Sequence, residues 1–337
     1  MITLKELSAK CGVSIATISN VINGKDNVSE KTRKLVMDIV KETGYQPNIL
    51  ASSLRSTSSK TIGIIVEDIT AFSSPTVIEG IMAYCEKAGY RNSLLNLRLY
   101  AKEIFDSGDK FIQAVEQAVR QALSMKVDGI IFLAAHSRKL SIFTETLPVP
   151  AVVAYASSIN PKVPSVLIND EQAAYDMICY MISKGWKKIG MAAGEADSIH
   201  TIRRKNGLKR ALEESGLEYR QEWILDGIWK RTSGYELAAK LIANGVDAIF
   251  CGNDNIAAGV CDYLRDQGLV PGKDIGVAGF DGQEFSAYTN PPLSTMKLPL
   301  NIIGEKAGEL IISQINGEDY YDREITEDCV LIKGETI

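Results

Sequence analysis

Short runs rich in valine and isoleucine alternate with segments of helical period from residue 61 to the end of this 337-residue chain. The strand candidates are TIGIIV (61–66), NSLLNL (92–97), VDGIIFL (127–133), PAVVAY (150–155), SVLIN (165–169), KKIGMAA (187–193), DAIFCGN (247–253) and DIGVAGF (274–280). Continuous apolar strands that alternate with helices indicate parallel sheets covered on both faces. These strands are too many for one compact sheet, so the pattern predicts an α/β body of two Rossmann-like subdomains. Ligands of such sheets bind beyond the carboxyl ends of the strands, here in the cleft between the subdomains.

The first 44 residues carry a different pattern, which predicts short helices. A capping box at Thr3 starts the first helix, and a turn containing Gly12 follows it. Ser14 can cap a second helix over 15–22, and a third helix spans 29–44. Two short helices joined by a glycine-containing turn and backed by a third are typical of an all-α helix-turn-helix DNA-binding domain.

The charge distribution supports a nucleic-acid module at this end of the chain. The net charge of the whole chain is −5, yet residues 1–60 carry nine Lys or Arg against five Asp or Glu. Local charge decides what a surface attracts. A basic N-terminal segment on an acidic body therefore suggests DNA binding joined to a second function.

The second helix has one apolar stripe and one small, polar face. Ile18, Val21 and Ile22 share the stripe that should pack on the first helix. A recognition helix presents its remaining positions to the major groove, where small apolar groups meet thymine methyls and polar groups bond base edges or phosphates. The predicted DNA contacts of this domain are Thr3, Ser14, Ile15, Ala16, Thr17, Ser19, Asn20, Asn23 and Tyr45.

Three segments, TLKELSAKCGVSIATISNVING, VSEKTRKLVMDIVKETGYQPNILASSLR and TIGIIVEDIT, resemble in register the LacI/GalR (lactose-repressor) family of bacterial transcription regulators. The resemblance implies that PNILASSL (47–54) is a hinge helix that folds when a dimer binds its operator. It also implies that Leu54, with Ala51 beside it, wedges a base step open in the minor groove. Asn48, at the start of this helix, is a further predicted DNA contact. Asn20 stands where the family usually has arginine. Because asparagine favours adenine and arginine favours guanine, the usual half-site of the family is not expected here.

The resemblance extends over essentially the whole chain and implies an effector-binding body of periplasmic-binding-protein type. The effector-binding residues that it implies are Phe72, Ser73, Arg204, Trp229, Asn253 and Asp281. An aromatic face with Arg, Asn and Asp groups suits a sugar, although Asp and Asn after strands are also common helix caps. Leu298 stands where a polar Gln is common, and LAAHSRK (133–139) lacks a clear acidic ligand. No particular sugar is therefore predicted.

The sequence thus predicts a homodimeric DNA-binding regulator, a repressor, controlled by a small-molecule effector that is a sugar or sugar derivative. The predicted domains are the helix-turn-helix domain at 1–46, the hinge helix and linker at 47–60 and the body at 61–337. Within the body, the N-subdomain takes about 61–157 and 296–337, because STMKLP (294–299) and DCVLIKG are expected to cross back to it. The C-subdomain takes about 158–295.

Other functions remain open alternatives. The effector could be a purine or nucleoside, or regulation could come from a protein corepressor, as in the catabolite-control members of the family. A solute-binding transport receptor is a remote alternative, because the start MITLKELSAK has no secretion signal and the chain carries a DNA module. The chain should lie in the cytoplasm, since no apolar run could span a bilayer. It ends without a heptad tail, so no coiled-coil tetramer is expected.

Enzyme chemistry is not predicted. The sequence has no G-x-G-x-x-G after a strand, no phosphate-binding loop, no G-x-S-x-G and no metal-ligand cluster. Its six cysteines are scattered without a C-x-x-C pair, and only two histidines are present. The sequence therefore predicts no cofactor, no metal and no catalytic residue.

Overall fold

A computed structural model describes residues 2–22, 24, 27–45, 58–104, 108–143, 146–318 and 323–337. The contacts divide the chain into two compact units, Met1–Ser59 and Lys60–Ile337. The predicted hinge helix and its residues Asn48, Ala51 and Leu54 lie outside the described residues, as does Asn23. Of the helices that are described, none is long and apolar enough to cross a membrane.

The N-terminal unit forms the predicted helices α1 (Leu4–Cys11), α2 (Ile15–Ile22) and α3 (Glu30–Thr43). The capping box is present: the Thr3 hydroxyl accepts from the Glu6 backbone N–H, and Glu6 accepts from that of Thr3. Gly12 follows α1 with φ of 62°, a conformation that suits glycine. The core of this unit consists of Leu7, Cys11, Ile18, Val21, Val36 and Tyr45.

The body contains two main parallel sheets among the residues described. Their strands are β1 (Thr61–Val66), β2 (Arg91–Asn96), β3 (Gly129–Leu133), β5 (Ala151–Ala154), β7 (Ser165–Ile168), β8 (Ile189–Ala192), β9 (Ile224–Leu225), β10 (Ala248–Cys251), β11 (Gly276–Ala278) and β13 (Glu324–Glu327). The first sheet has the order β13-β7-β5-β3-β1-β2, and the second has the order β11-β10-β8-β9. We call the parts of the body built on these sheets the first and second lobes.

Helices cover both faces of the first sheet. The helices of the body are α4 (Ser74–Lys87), α5 (Asp109–Ser124), α6 (Asp170–Ser183), α7 (Ile199–Glu214), α8 (Arg231–Ala243), α9 (Asp254–Asp266) and α10 (Leu300–Ile315), with 3₁₀ turns at Gln221–Trp223 and Glu284–Tyr288. Along β1, Ile64 packs in one core cluster with residues of α4 and α10, and Ile65 packs in another with residues of α5. Successive side chains of a strand point to opposite faces, so a strand buried on both faces is apolar throughout. The predicted α/β class with a helical N-terminal domain is confirmed.

One strand lies on the other side of the predicted boundary between the subdomains. Strand β7 pairs with β5 and β13 in the first sheet, whereas the sequence-based division starts the second subdomain at residue 158. The strand that returns to the edge of the first sheet is β13, and its residues alternate between exposed and half-buried. A search for continuous apolar runs misses such an edge strand.

The segments expected to cross back form their own small sheet. Strands β12 (Thr295–Lys297) and β14 (Val330–Ile332) pair antiparallel with each other. Another small sheet joins β4 (Lys139–Leu140) to β6 (Ser157–Ser158). Strands β4 and β6 both join segments of the first lobe, whereas β12 and β14 lie where the chain passes between the lobes.

Candidate ligand cleft and nucleic-acid interface

Helix α2 exposes its first residues and buries the predicted apolar stripe. Ile18 and Val21 are 0% and 3% exposed, whereas Ile15 is 38% exposed and Ala16 is also exposed. The Ser14 hydroxyl accepts from the Thr17 backbone N–H at 3.1 Å, so it caps the helix as predicted. The Thr17 hydroxyl lies 2.9 Å from that of Ser14. The start of α2 is thus a small surface whose hydroxyl groups are held in place by capping.

The outer positions of α2 are partly covered. Thr17, Ser19 and Asn20 are half-buried on the sides of the helix. Thr3, also predicted as a DNA contact, is engaged in the capping box of α1. The predicted DNA contacts of α2 therefore lie together on one short helix, and the apolar stripe on the other side of this helix packs in the core.

Tyr45 requires a correction. The sequence predicts a DNA contact there, but only 8% of this residue is exposed, and it packs in the core with Leu7 and Val36. Burial also raises the pKa of its hydroxyl. A residue directly after α3 can fold back onto the apolar sides of the helices, which helical periodicity does not reveal. Tyr45 therefore stabilises the helical unit.

The body contains a cavity of about 660 Å³ at the carboxyl ends of the strands. It is lined by Phe72, His136, Ser137, Arg138, Tyr155, Glu195, Asp197, Ser198, Ile199, His200, Arg204, Trp229, Asn253, Asn255, Asp281 and Gln283. Both lobes contribute to this wall. Five of the six predicted effector residues lie in it, and the exception is Ser73. That residue is fully buried, and its hydroxyl has no hydrogen-bond partner among the described residues.

Arg204 is the centre of the polar wall. It lies on α7 and is 2% exposed. Its Nη2 and Nε lie 2.7 and 2.8 Å from Oδ1 of Asp170, and its Nη1 donates to the Gly252 carbonyl. The guanidinium carbon lies 3.6 Å from the centre of the Phe280 ring. Packing and hydrogen bonds therefore hold this cation rigidly, and Oδ1 of Asp281 lies 3.9 Å from Nη1.

The carboxyl groups around Arg204 have different electrostatic environments. Burial raises the pKa of Asp281 to about 7, although Arg204 acts in the opposite direction. Burial likewise raises the pKa of Asp254 to about 6. Burial also opposes ionisation of Asp170, but the charges and hydrogen bonds of His200 and Arg204 outweigh it and lower the pKa of Asp170. Asp170 is thus a fixed anion, and Asp281 titrates near neutral pH.

Asn253 caps a helix and also lines the cavity. Its Oδ1 accepts from the Ile256 backbone N–H at 2.8 Å and caps α9. The residue is 7% exposed and lines the cavity. No acceptor for its side-chain amide nitrogen is found among the described residues. The cap therefore orients a donor that a ligand could use.

Trp229 packs closely on glycine backbone. A Cβ atom at Gly194 would lie 2.3 Å from the Trp229 ring, and one at Gly252 would lie 3.2 Å from it. Both glycines follow strands of the second sheet. The absence of side chains there gives the indole the space that places it in the wall of the cavity.

The wall from the first lobe contains a charged pair that the sequence analysis missed. Glu67, directly after β1, is 2% exposed and binds Arg138 through two hydrogen bonds, of 2.7 and 3.1 Å. Glu67 also accepts from the Ala135 backbone N–H at 2.8 Å. Beside this pair, the hydroxyl of Tyr100 lies 2.9 Å from Nε2 of His136. An acidic residue directly after an apolar strand is a sequence signal that could have identified Glu67. No local signal indicates its partner Arg138, which lies 71 residues away.

His200 joins the two lobes at the cavity. Its Nδ1 lies 2.8 Å from Oδ2 of Asp170, and its Nε2 accepts from the Ser137 backbone N–H at 3.4 Å. Ser137 belongs to the first lobe, and His200 lies in the first turn of α7 in the second lobe. Neither His200 nor Asp170 belongs to a recognisable sequence motif, so the sequence does not predict them as residues of the site.

Leu298 lies next to this cavity. It is 5% exposed and lines another cavity of about 750 Å³, which shares Phe72, Asp281 and Gln283 with the first. The additional lining is largely apolar and includes Ile302. The two spaces meet where the polar wall ends.

Comparisons with known proteins agree for both units. A family model described as "Bacterial regulatory proteins, lacI family" matches residues 3–48, and one described as "Periplasmic binding protein-like domain" matches residues 178–337. "Catabolite control protein A" of Priestia megaterium is 32% identical over 321 residues, which cover 94% of this chain and 93% of that protein. "HTH-type transcriptional repressor PurR" of Vibrio vulnificus is 29% identical over 343 residues, covering 100% and 99%.

Solved structures show the same fold. The crystal structure of the Lac repressor dimer bound to operator and the anti-inducer ONPF superposes with a TM-score of 0.81 at 23% identity. The match covers 99% of this chain and 98% of that one. A transcriptional regulator CelR in complex with cellobiose matches with a TM-score of 0.66 at 24% identity, over 100% of both chains.

Proposed function

Because the chain belongs to the LacI family of bacterial regulatory proteins and is a DNA-binding transcriptional repressor, we propose that a small polyhydroxylated ligand, a sugar or sugar derivative, controls it from the cleft of the body. The observation that carries this proposal is the polar wall of the cavity. Buried Arg204, Asn253 and Asp281 converge there beside the Trp229 ring. Carboxylate, amide and guanidinium groups match paired hydroxyls, and an indole face matches the C–H face of a sugar ring.

The size and location of the cavity also favour a small molecule. Its volume of about 660 Å³ lies within the range of roughly 300–1,000 Å³ for small-molecule sites. It lies beyond the carboxyl ends of the strands, where open α/β sheets bind ligands. The adjoining apolar cavity gives room for a second sugar ring or an apolar substituent.

The DNA-binding part of the proposal rests on two-fold symmetry. A homodimer would present two copies of α2 to a pseudo-palindromic operator, because protein symmetry is mirrored in the site. Ile15 and Ala16 would meet thymine methyl groups, and Asn20 would read a base edge. The ligand would change operator affinity only if it binds one relative orientation of the lobes better than another.

A thermal-shift screen tests the proposed control. Purified protein is screened against mono- and disaccharides, sugar phosphates and purines. A ligand at 100 times its Kd stabilises the protein by about 2.7 kcal/mol. A sugar hit should disappear in Asp281→Asn and persist in Asp262→Asn, which alters a surface ion pair with Arg231 outside the cavity. The hit should also change operator affinity in a gel-shift assay.

The other outcomes are distinct. A purine that binds with the same dependence on Asp281 would confirm the cleft as the effector site and show that the effector is a purine and not a sugar. A blank screen, with folded protein that still binds operator DNA, would contradict control by these small molecules. That result would direct the search to a protein corepressor.

A further inference from the structure

We propose that this cleft rejects anionic ligands and accepts neutral or cationic ones, with Glu195 and Asp197 as the residues that determine this specificity. The proposal rests on the proposed function for the presence of a ligand in the cleft. It excludes phosphorylated and carboxylated sugars as effectors and favours unmodified sugars and amino sugars.

The two arginines of the cavity already have their own carboxylate partners. Arg138 is bound through two hydrogen bonds by Glu67, and Arg204 is bound at two of its nitrogens by Asp170. Both carboxylates lie behind the wall and are nearly fully buried. An anionic ligand would therefore meet guanidinium groups whose charge is already neutralised by close anions.

Glu195 and Asp197 have no such compensation. They lie in the loop between β8 and α7, are exposed and line the cavity. No ion pair or side-chain hydrogen bond to either carboxylate is found among the described residues. No cation in the described part of the chain balances their charge, so they would repel an anionic ligand that approaches this part of the wall.

These two residues also lie next to a helix N-terminus, where an anion could otherwise bind. The N-terminal end of α7 reaches the cavity at Ser198 and Ile199. A helix N-terminus attracts phosphate and carboxylate groups, because its N–H groups are unpaired and its dipole is positive there. Glu195 and Asp197 precede this helix in the chain, and neither side chain caps it among the described residues. They would therefore act on a phosphate at this position by charge repulsion and not by occupying its hydrogen-bond donors.

The total charge around the cavity agrees with this reading. Among the described residues of the wall and their direct partners, Arg138 and Arg204 face the carboxyl groups of Glu67, Asp170, Glu195, Asp197 and Asp281. Burial lowers the pKa of the His136 imidazole to about 4, so this residue adds no positive charge to the wall near neutral pH. The carboxyl groups therefore outnumber the arginines. Low-dielectric walls concentrate such a field on the ligand.

One test needs no known ligand, because Trp229 reports on the cavity. The protein has three tryptophans, and the Trp229 signal is the fluorescence difference between wild type and Trp229→Phe. It is titrated with caesium, iodide and neutral acrylamide at constant ionic strength. In Glu195→Gln/Asp197→Asn, we expect caesium quenching of Trp229 to fall and iodide quenching to rise, each about twofold. Acrylamide quenching should stay unchanged.

The matched control is Glu213→Gln/Glu218→Gln. It removes the same charge from exposed residues outside the cavity, which pair with Lys209 and Arg220. We expect wild-type quenching in this variant. If iodide and caesium quenching respond equally in the two double variants, the local negative field is refuted.

A second test compares matched ligands by calorimetry. Each hexose is measured with its 2-amino and 6-phosphate derivatives. We expect every phosphate to bind at least tenfold more weakly than its parent, and the double cleft variant to reduce that difference. A phosphate that binds more tightly than its parent sugar would overturn the inference and leave the proposed function intact. If no compound binds but the quenching result holds, the proposed function fails and the charge assignment stands.

Discussion

Asp170→Asn should destabilise the body strongly, because it removes the nearest anion of a buried guanidinium. The substitution keeps the shape of the side chain, but one carboxylate oxygen becomes an amide nitrogen. Asp170 uses both oxygens: Oδ1 accepts from Arg204, and Oδ2 lies 2.8 Å from Nδ1 of His200. In the variant, one of these partners faces an NH₂ group that cannot accept a hydrogen bond.

The magnitude follows from the burial of the pair. The side chains of Arg204 and Asp170 are 3% and 1% exposed, and they approach to 2.7 Å. Removing one partner of a buried pair costs about 3–5 kcal/mol. At roughly 2–4 °C per kcal/mol, the melting temperature of the body should fall by roughly 6–20 °C.

The assay is urea and thermal unfolding followed by tryptophan fluorescence. All three tryptophans, Trp186, Trp223 and Trp229, lie in the body, so this signal reports on the body and not on the helical unit. The matched control is Glu171→Gln. Glu171 is the next residue of α6, and its pair with Arg210 joins side chains that are 39% and 37% exposed. Exposed pairs contribute about 0–1 kcal/mol, so the control should be nearly neutral.

A double variant tests the reason for the loss. Asp170→Asn/Arg204→Met removes both charges of the pair, so it should be more stable than Asp170→Asn alone. The reasoning is refuted if Asp170→Asn costs no more than Glu171→Gln. It is also refuted if the losses of stability are additive, that is, if Arg204→Met lowers the free energy of unfolding as much in the Asp170→Asn background as in wild type.

Three further predictions concern the ligand and the operator. Burial raises the pKa of Asp281 to about 7, and its ionised carboxylate is the form that accepts hydrogen bonds from ligand hydroxyls. Ligand affinity, measured by calorimetry, should therefore rise up to about pH 7 and level off above it. An affinity that does not change with pH would contradict this role. Gly194→Ala would place a Cβ 2.3 Å from the Trp229 ring, so the indole should be displaced. Ligand affinity should then fall at least tenfold. Unchanged affinity would show that the ring does not contact the ligand. Asn20→Ala should reduce the free-energy preference for one base at one operator position by about 1–3 kcal/mol. Selection of operators from a randomised pool measures this preference. An unchanged preference would show that Asn20 does not contact a base edge.

Much of the fold could be predicted because it depends on neighbouring residues. The capping box at Thr3, the stripe of Ile18 and Val21 and the apolar strand at 61–66 are local patterns, and all appear where the sequence predicts them. The family and the α/β fold class are confirmed as well. The roles of the individual DNA-binding and effector-binding residues remain predictions.

The errors concern residues whose surroundings are distant in sequence. Tyr45 was expected at the DNA but lies in a core, because the chain folds back after α3. Strand β7 was assigned to the C-subdomain but pairs in the first sheet. Strand β13 lies in the predicted N-subdomain but was not among the strand candidates, because its alternating side chains are those of an edge strand. None of these outcomes is visible in a window of neighbouring residues.

By itself, the sequence determined the helices of the N-terminal unit, the continuous apolar strands and the set of strand ends from which a ligand site could be built. These depend on the periodicity of side chains that are close in the chain. Only the tertiary structure decided which charges meet. Glu67 and Arg138 are 71 residues apart, and Asp170 and Arg204 are 34 apart, yet each pair is held within hydrogen-bonding distance. Burial then sets the ionisation of Asp170 and Asp281, because the cost of desolvation and the nearest opposite charge exist only in the folded chain.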